Sequence, residues 1–155
     1  MKKIIILSIF LLAGTFAFSQ SYNTGVGVRG AFASGITIKH FVKDNAAFEG
    51  IVSGGTWGMD ITGLYEIHAR AFDVDRLNWY YGGGAHIAQW NNDYPHIADG
   101  DGNNVVVGLD GILGLEYYIE EIPFTISADW KPVFNLIGYT GFWGYGGAIS
   151  IRYTF

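Results

Sequence analysis

Residues 105–119 read VVVGLDGILGLEYYI, and the parity of this stretch decides the fold. Taken by twos, Val107, Leu109, Gly111, Leu113, Leu115, Tyr117 and Ile119 share one face, while Gly108, Asp110, Ile112, Gly114, Glu116 and Tyr118 share the other. A period of two is the period of a strand, whose successive side chains point to opposite sides of the sheet. No charge falls on the first face. One side of this strand is built for an apolar medium and the other for polar company.

The same alternation recurs on both sides of it, punctuated by turn chemistry. It predicts eight strands: Tyr22 to Phe32, Gly35 to Phe41, Ala46 to Gly54, Met59 to Ala69, Leu77 to Trp90, Val105 to Ile119, Phe124 to Leu136 and Tyr145 to Phe155. In the seventh, Phe124, Ile126, Ala128, Trp130, Phe134 and Leu136 oppose Thr125, Ser127, Asp129, Lys131 and Asn135. In the fourth, Ile61, Gly63, Tyr65 and Ile67 oppose Asp60, Thr62, Leu64, Glu66 and His68. The chain closes on GAISIRYTF, with Gly147, Ile149, Ile151, Tyr153 and Phe155 on one parity. Pro132 lies inside the seventh run, where the missing N–H predicts a bulge or a local break.

Alternation does not by itself say which face is inside, because a soluble lipocalin-like barrel turns its apolar residues inward. Here the apolar parity carries Trp79, Tyr81, Trp130, Phe134, Tyr153 and Phe155 on neighbouring strands, more bulk than the interior of a small barrel packs. The polar parity is sparse in charge and rich in glycine, serine and threonine, which suits a crowded lumen. Apolar outward, into lipid, is therefore the expected orientation. A bilayer core offers no water to an open sheet edge, so a sheet spans it only when the last strand pairs with the first. The expected fold is all-β, an eight-stranded antiparallel up-and-down transmembrane β-barrel.

Composition points the same way. Charged residues are 15% of the chain against a usual ~25%, and aromatics are 17%. The start, Met1-Lys2-Lys3 followed by IIILSIFLLAGTFAF and a small-residue site, has the form of a secretory signal. Residues 1–19 are thus expected to be a signal peptide that is removed, leaving one barrel domain over 20–155. An N-terminal membrane anchor is the alternative, for which the apolar run falls short of the roughly 20 residues of a spanning helix. Without Lys2 and Lys3, 7 basic residues face 14 acidic ones, a balance of −7 that disfavours nucleic acid. With 0 cysteines there is no disulfide framework and no lipidation site after the signal.

In even-stranded bacterial barrels both termini lie on the periplasmic side, with short turns there and longer loops outside. The even connections, 42–45, 73–76 and 120–123, are tight, and the two longest odd ones are expected at Asn91 to Asn104 and Ile137 to Gly144. With its signal, eight alternating segments and ISIRYTF ending, the chain resembles small outer-membrane β-barrels of the OmpX type and the OmpA transmembrane domain. WYYGGGAHIAQW and DWKPVFNL are similar to segments of the same broad family. The resemblance implies an outer-membrane location, contact with outer-membrane lipid, and assembly by the barrel-assembly machinery through a C-terminal signal at Tyr153 and Phe155. It implies no activity.

The inward parity gathers Arg29, Lys39, Lys131 and Arg152 against Glu49, Asp60, Glu66, Asp110, Glu116 and Asp129, with His68 and His86 among them. Enclosed charges must pair or carry a desolvation penalty of several kcal/mol each, so an ion-pair network filling the lumen is expected, with Arg29 or Arg152 bridging to an acidic partner. Gly25 and Gly27 are expected to leave lumen space around Arg29. Acid–base catalysis, as in outer-membrane enzymes that trim or acylate lipid A, needs a serine beside a histidine; His86 precedes Ile87 and Ala88, and His96 has no serine nearby. GVGVRG at Gly25 to Gly30 has the spacing of a dinucleotide fingerprint but lies inside a strand with no helix after it. DGDGNN, Asp99 to Asn104, is similar to a calcium loop but lacks the closing glutamate. No catalytic residue, cofactor or metal is therefore expected.

Trp57, Trp79, Tyr80, Tyr81, Trp90, Trp143 and Tyr145 are expected in interfacial girdles, and His40 falls on the lipid parity near a strand end. The expected role is a non-enzymatic, monomeric integral barrel with a side-chain-filled lumen that supports the envelope or meets an extracellular partner at 91–104. A narrow pore for ions or small solutes, a lipid-modifying enzyme and a soluble exported binding barrel are the alternatives.

Overall fold

The computed structural model describes residues 22–31, 34–56, 58–91, 105–138, 140–144 and 146–155. Residues 1–19, expected to be a signal peptide, His96, the calcium-like stretch, Trp57, Tyr145 and nearly all of 91–104 lie outside them.

Ten strand segments run β1 (Thr24–Ala31), β2 (Ser34–Lys43), β3 (Ala46–Gly55), β4 (Gly58–Arg70), β5 (Leu77–Trp90), β6 (Val105–Ile119), β7 (Phe124–Trp130), β8 (Val133–Ile137), β9 (Gly141–Trp143) and β10 (Gly147–Thr154). They make eight staves, because β7 with β8 and β9 with β10 each form one interrupted stave along their neighbours. Consecutive staves pair antiparallel from β1 round to β7, and β10 pairs both β7 and β1. The protein is a closed eight-stranded antiparallel up-and-down β-barrel. The seam is locked at its end by reciprocal bonds, Thr24 N to Phe155 O and Phe155 N to Thr24 O, each 2.9 Å.

Parity works as the alternation predicts. Outward lie Val28, Ile38, Phe48, Ile61, Leu113, Ile126 and Ile151, all exposed, while Thr37, Lys39, Glu49, Glu66, Glu116, Ser127 and Arg152 are buried inside. Among the described residues the barrel is thus an inverted protein, apolar without and polar within.

The local break expected at Pro132 is present: β7 ends at Trp130 and β8 starts at Val133. The register is kept across it, Leu113↔Trp130 resuming as Asp110↔Val133, and Gly111 N bonds Pro132 O at 2.9 Å. A shift comes later, between Asn135↔Gly108 and Ile137↔Val107. Two expectations need correcting. First, 137–144 is not a long loop: Ile137 belongs to β8 and Gly141–Trp143 to β9, and after β8 the chain passes Gly138 at φ +87, a left-handed conformation that glycine adopts readily. Second, the last strand, β10, begins at Gly147 rather than at the expected Tyr145, which lies outside the described residues; before it Lys131 N bonds Gly146 O at 2.5 Å and Trp130 Nε1 bonds Gly144 O at 2.6 Å.

Candidate functional site: the charged interior

The inward side chains fall into three ion-paired groups, with a small apolar cluster contributed by β3, β4, β5 and β6. At the end that holds both described chain ends, β10 places Arg152 in the lumen with almost no solvent contact. Its guanidinium reaches Glu49 of β3 at 2.5 Å and Glu116 of β6 at 3.1 Å, and donates to Ser127 Oγ at 2.8 Å. Thr37 donates to the same Glu49 oxygen. Lys39 of β2 pairs with Glu66 at 2.8 Å, with Glu49 at 3.4 Å and with Glu116 at 3.6 Å. Its ammonium sits 4.0 Å from the centroid of the Tyr80 ring, a cation–π contact in a site stripped of water. His68 Nε2 lies 3.1 Å from Glu66.

Tyr22 closes this end. It precedes β1 and turns inward, donating its hydroxyl to Glu116 at 2.7 Å and meeting Phe41 edge-on at 5.2 Å. Burial, and after it the Glu116 carboxylate, push the Tyr22 phenol up, so it remains a donor. Gly25 leaves room for this arrangement: a methyl there would lie 3.2 Å from the Tyr22 ring and 3.4 Å from Arg152 Cβ. The space expected around Arg29 thus belongs, at Gly25, to Tyr22 and Arg152.

Arg29 pairs with Asp129 through two bonds of 2.5 and 2.7 Å, and the Tyr80 hydroxyl donates to Asp129 at 2.9 Å. Tyr80 is fully buried, which corrects its expected place in an interfacial girdle. Parity already separates it from Trp79 and Tyr81, which are exposed. Gly114 makes room for it, since a methyl there would stand 2.6 Å from Tyr80 Cζ and 2.6 Å from Asp129 Cβ.

Ile51, Leu64, Ile112 and Tyr80 form the apolar cluster of the interior. Along the inward parity Ile51 lies between Glu49 and Ser53, and Leu64 between Glu66 and Thr62. Beyond this cluster His86 Nδ1 lies 2.7 Å from Asp110 and His86 Nε2 is 3.1 Å from Asn135 Oδ1. Lys131 donates to Asp110 at 2.7 Å and to Thr62 at 3.2 Å. Asp60 departs from the expected ion pairing. It is held by hydroxyls, Thr62 at 2.8 Å and Ser53 at 3.3 Å.

The interior therefore brings together Arg29 with Asp129, Lys39 and Arg152 with Glu49, Glu66 and Glu116, and Lys131 with Asp110. Sequence reasoning passed over the neutral members Tyr22 and Thr37, placed Asn135 inward without a partner, and assigned Tyr80 to a girdle. The inward parity of Thr37 and Tyr80 was the available signal. Both His86 nitrogens are engaged, and no serine hydroxyl is among their partners. Outside, Tyr153 and Phe155 are exposed on the seam beside each other and Phe124, with ring centroids 6.1 and 5.5 Å apart. His40 is also outward and exposed, its Nδ1 2.9 Å from Thr24 Oγ1 at the end of the stave.

Fold and site together define a class: a closed eight-stranded barrel with an apolar exterior and an ion-paired, side-chain-filled interior. Comparison of the chain with protein-family models, curated proteins and solved structures returns no match.

Proposed function

We propose that this chain is a non-enzymatic integral outer-membrane barrel that supports the envelope or presents its loops to an extracellular partner. One observation carries the reading: the exterior of a closed barrel is lined with exposed Val, Ile, Leu, Phe, Trp and Tyr, while charges such as Arg29, Lys39, Glu49, Glu66, Asp110, Glu116, Asp129 and Arg152 are buried inside and the exposed ones lie at the turns. Water does not favour that inversion; hydrocarbon does, since a charge on the lipid face costs roughly 2–4 kcal/mol at mid-bilayer. The resemblance to small barrels of the OmpX type supports the same location. On this reading the exposed pair Tyr153 and Phe155 is the signal for the assembly machinery, and the loop at 91–104 is the surface for a partner.

The filling of the interior by buried, mutually paired side chains such as Arg152, Lys39, Glu49, Glu66 and Tyr80 weighs against the narrow pore, because it leaves little room for ions and their water. His86, held by Asp110 and Asn135 rather than by a nucleophile, weighs against a lipid-modifying enzyme. Membrane fractionation with gel mobility before and after boiling tests the reading. The expected result is an outer-membrane protein that migrates faster unboiled. A protein found in the soluble periplasmic fraction, with one mobility, contradicts it.

A further inference from the structure

A depression lies on the exterior formed by the described residues. Across β5, β6 and β7 the outward row Trp79, Leu115 and Ala128 is followed by Tyr81, Leu113 and Trp130. Ala128 is the short side chain among them, and a groove of about 650 Å³ opens there, walled by Trp79, Leu115 and Trp130 with Phe72 and Arg70 also lining it. That volume lies within the roughly 300–1,000 Å³ typical of sites for small organic molecules.

Its lining is apolar except for Arg70, the last residue of β4, and Asp129, whose buried carboxylate is engaged inside the barrel by Arg29 and Tyr80. The only ion pair of Arg70 among the described residues is to Asp75, at 3.5 Å with that carboxylate 85% exposed, a contact of little strength in water. Arg70 Nε is buried without a hydrogen-bond partner. Arg76, the other cation of the turn, is committed to Glu120. The turn itself is strained, with Phe72 and Asp73 at φ 53 and Arg76 at φ 67, left-handed conformations that side chains of this size rarely adopt. The strained Phe72 is 82% exposed, so its ring gains no cover from the protein. Strain of this kind persists where the surroundings make use of it.

A largely apolar groove with one weakly paired cation in its lining fits an amphiphile with an anionic head. We infer that the groove retains one anionic glycerophospholipid, an acyl chain lying over Ala128 between Trp79 and Trp130 and its phosphate on Arg70. This rests on the membrane reading above. The groove opens at the end that carries the described chain ends, which that reading turns toward the periplasm, so the lipid belongs to the periplasmic leaflet. Phe72 stands at the mouth, at the depth of the headgroups.

The test uses Trp57, Trp90 and Trp143 changed to Phe, which leaves the two groove indoles as the only tryptophan reporters. The variant is reconstituted in phosphatidylcholine with a small mole fraction of bromine-tailed phosphatidylglycerol or, separately, bromine-tailed phosphatidylcholine. The expected result is several-fold stronger quenching by the brominated phosphatidylglycerol at equal mole fraction. Arg70→Gln should remove that preference, Arg70→Lys should keep most of it, and Ala128→Leu should remove it by filling the groove. Equal quenching by the two lipids in the unsubstituted groove overturns the lipid site while leaving the barrel in the membrane. A preference that survives Ala128→Leu also overturns it, as general attraction to anionic lipid. No quenching by either lipid overturns the membrane reading itself.

Discussion

Arg152 is the residue on which the interior depends most, because its guanidinium ties the seam stave to Glu49 and Glu116 on two other staves. Removing one member of a buried, hydrogen-bonded pair leaves the others charged and unpaired, at a cost of about 3–5 kcal/mol. Arg152→Ala should therefore lower the unfolding free energy in detergent by that amount, read from a urea titration; an unchanged urea midpoint would show that the network contributes nothing. The carboxylates are not equivalent. Lys39 and Arg152 face three of them, Glu49, Glu66 and Glu116, and Glu66 alone among the three has no arginine contact. Glu66→Gln should cost less than Glu116→Gln or Glu49→Gln in the same urea titration, and the reverse order would contradict this charge count. Space is as specific as charge. Gly114→Ala must push against Tyr80 and Asp129 and should cost about 1–3 kcal/mol, as overpacked sites do, while Gly63→Ala, which meets nothing within 4 Å, should be nearly silent.

At the scale of the strand, the deciding quantity is parity, and much of it was legible. Residues 105–119 and 77–90 form strands with the bounds the alternation gives, because two-sided environments leave a strong period of two. Less legible was whatever depends on a gap in that period. The β8–β9 hairpin hides in a glycine- and aromatic-rich stretch without alternation, whereas the break at Pro132 was legible from its missing N–H, though not that the ladder resumes in register beyond it. Tyr80 was missed because an aromatic between two aromatics reads as part of a girdle, whereas its even position sends it inward beside Lys39. Partners were less legible still: which carboxylate meets Arg152 is set by the stagger of staves around the barrel, and no local pattern encodes that. Parity also sorts substitutions. Leu113→Arg, on the exterior, should cost roughly 2–4 kcal/mol in a lipid bilayer, measured by reversible unfolding from vesicles. A cost near zero would mean that this face does not meet hydrocarbon.

For the molecule as a whole, the filling of the lumen decides whether it conducts. Buried side chains occupy it, among them Arg152, Lys39, Glu49 and Tyr80 with the apolar cluster of Ile51, Leu64 and Ile112, so the barrel in a planar bilayer should carry little steady current. Ile51→Ser with Leu64→Ser should raise it by admitting water; a large current before substitution would favour the pore. The central claim is the orientation of the two faces, and the absence of cysteine makes it directly measurable. Single cysteines placed in turn at 107 to 117 of β6 and spin-labelled in vesicles report contact with oxygen, which concentrates in hydrocarbon, and with a water-soluble nickel chelate. The account predicts a period of two, with Leu109, Leu113 and Leu115 open to oxygen and closed to nickel, and Asp110, Ile112 and Glu116 closed to both. Leu113 and Leu115 reached freely by the nickel chelate would contradict it.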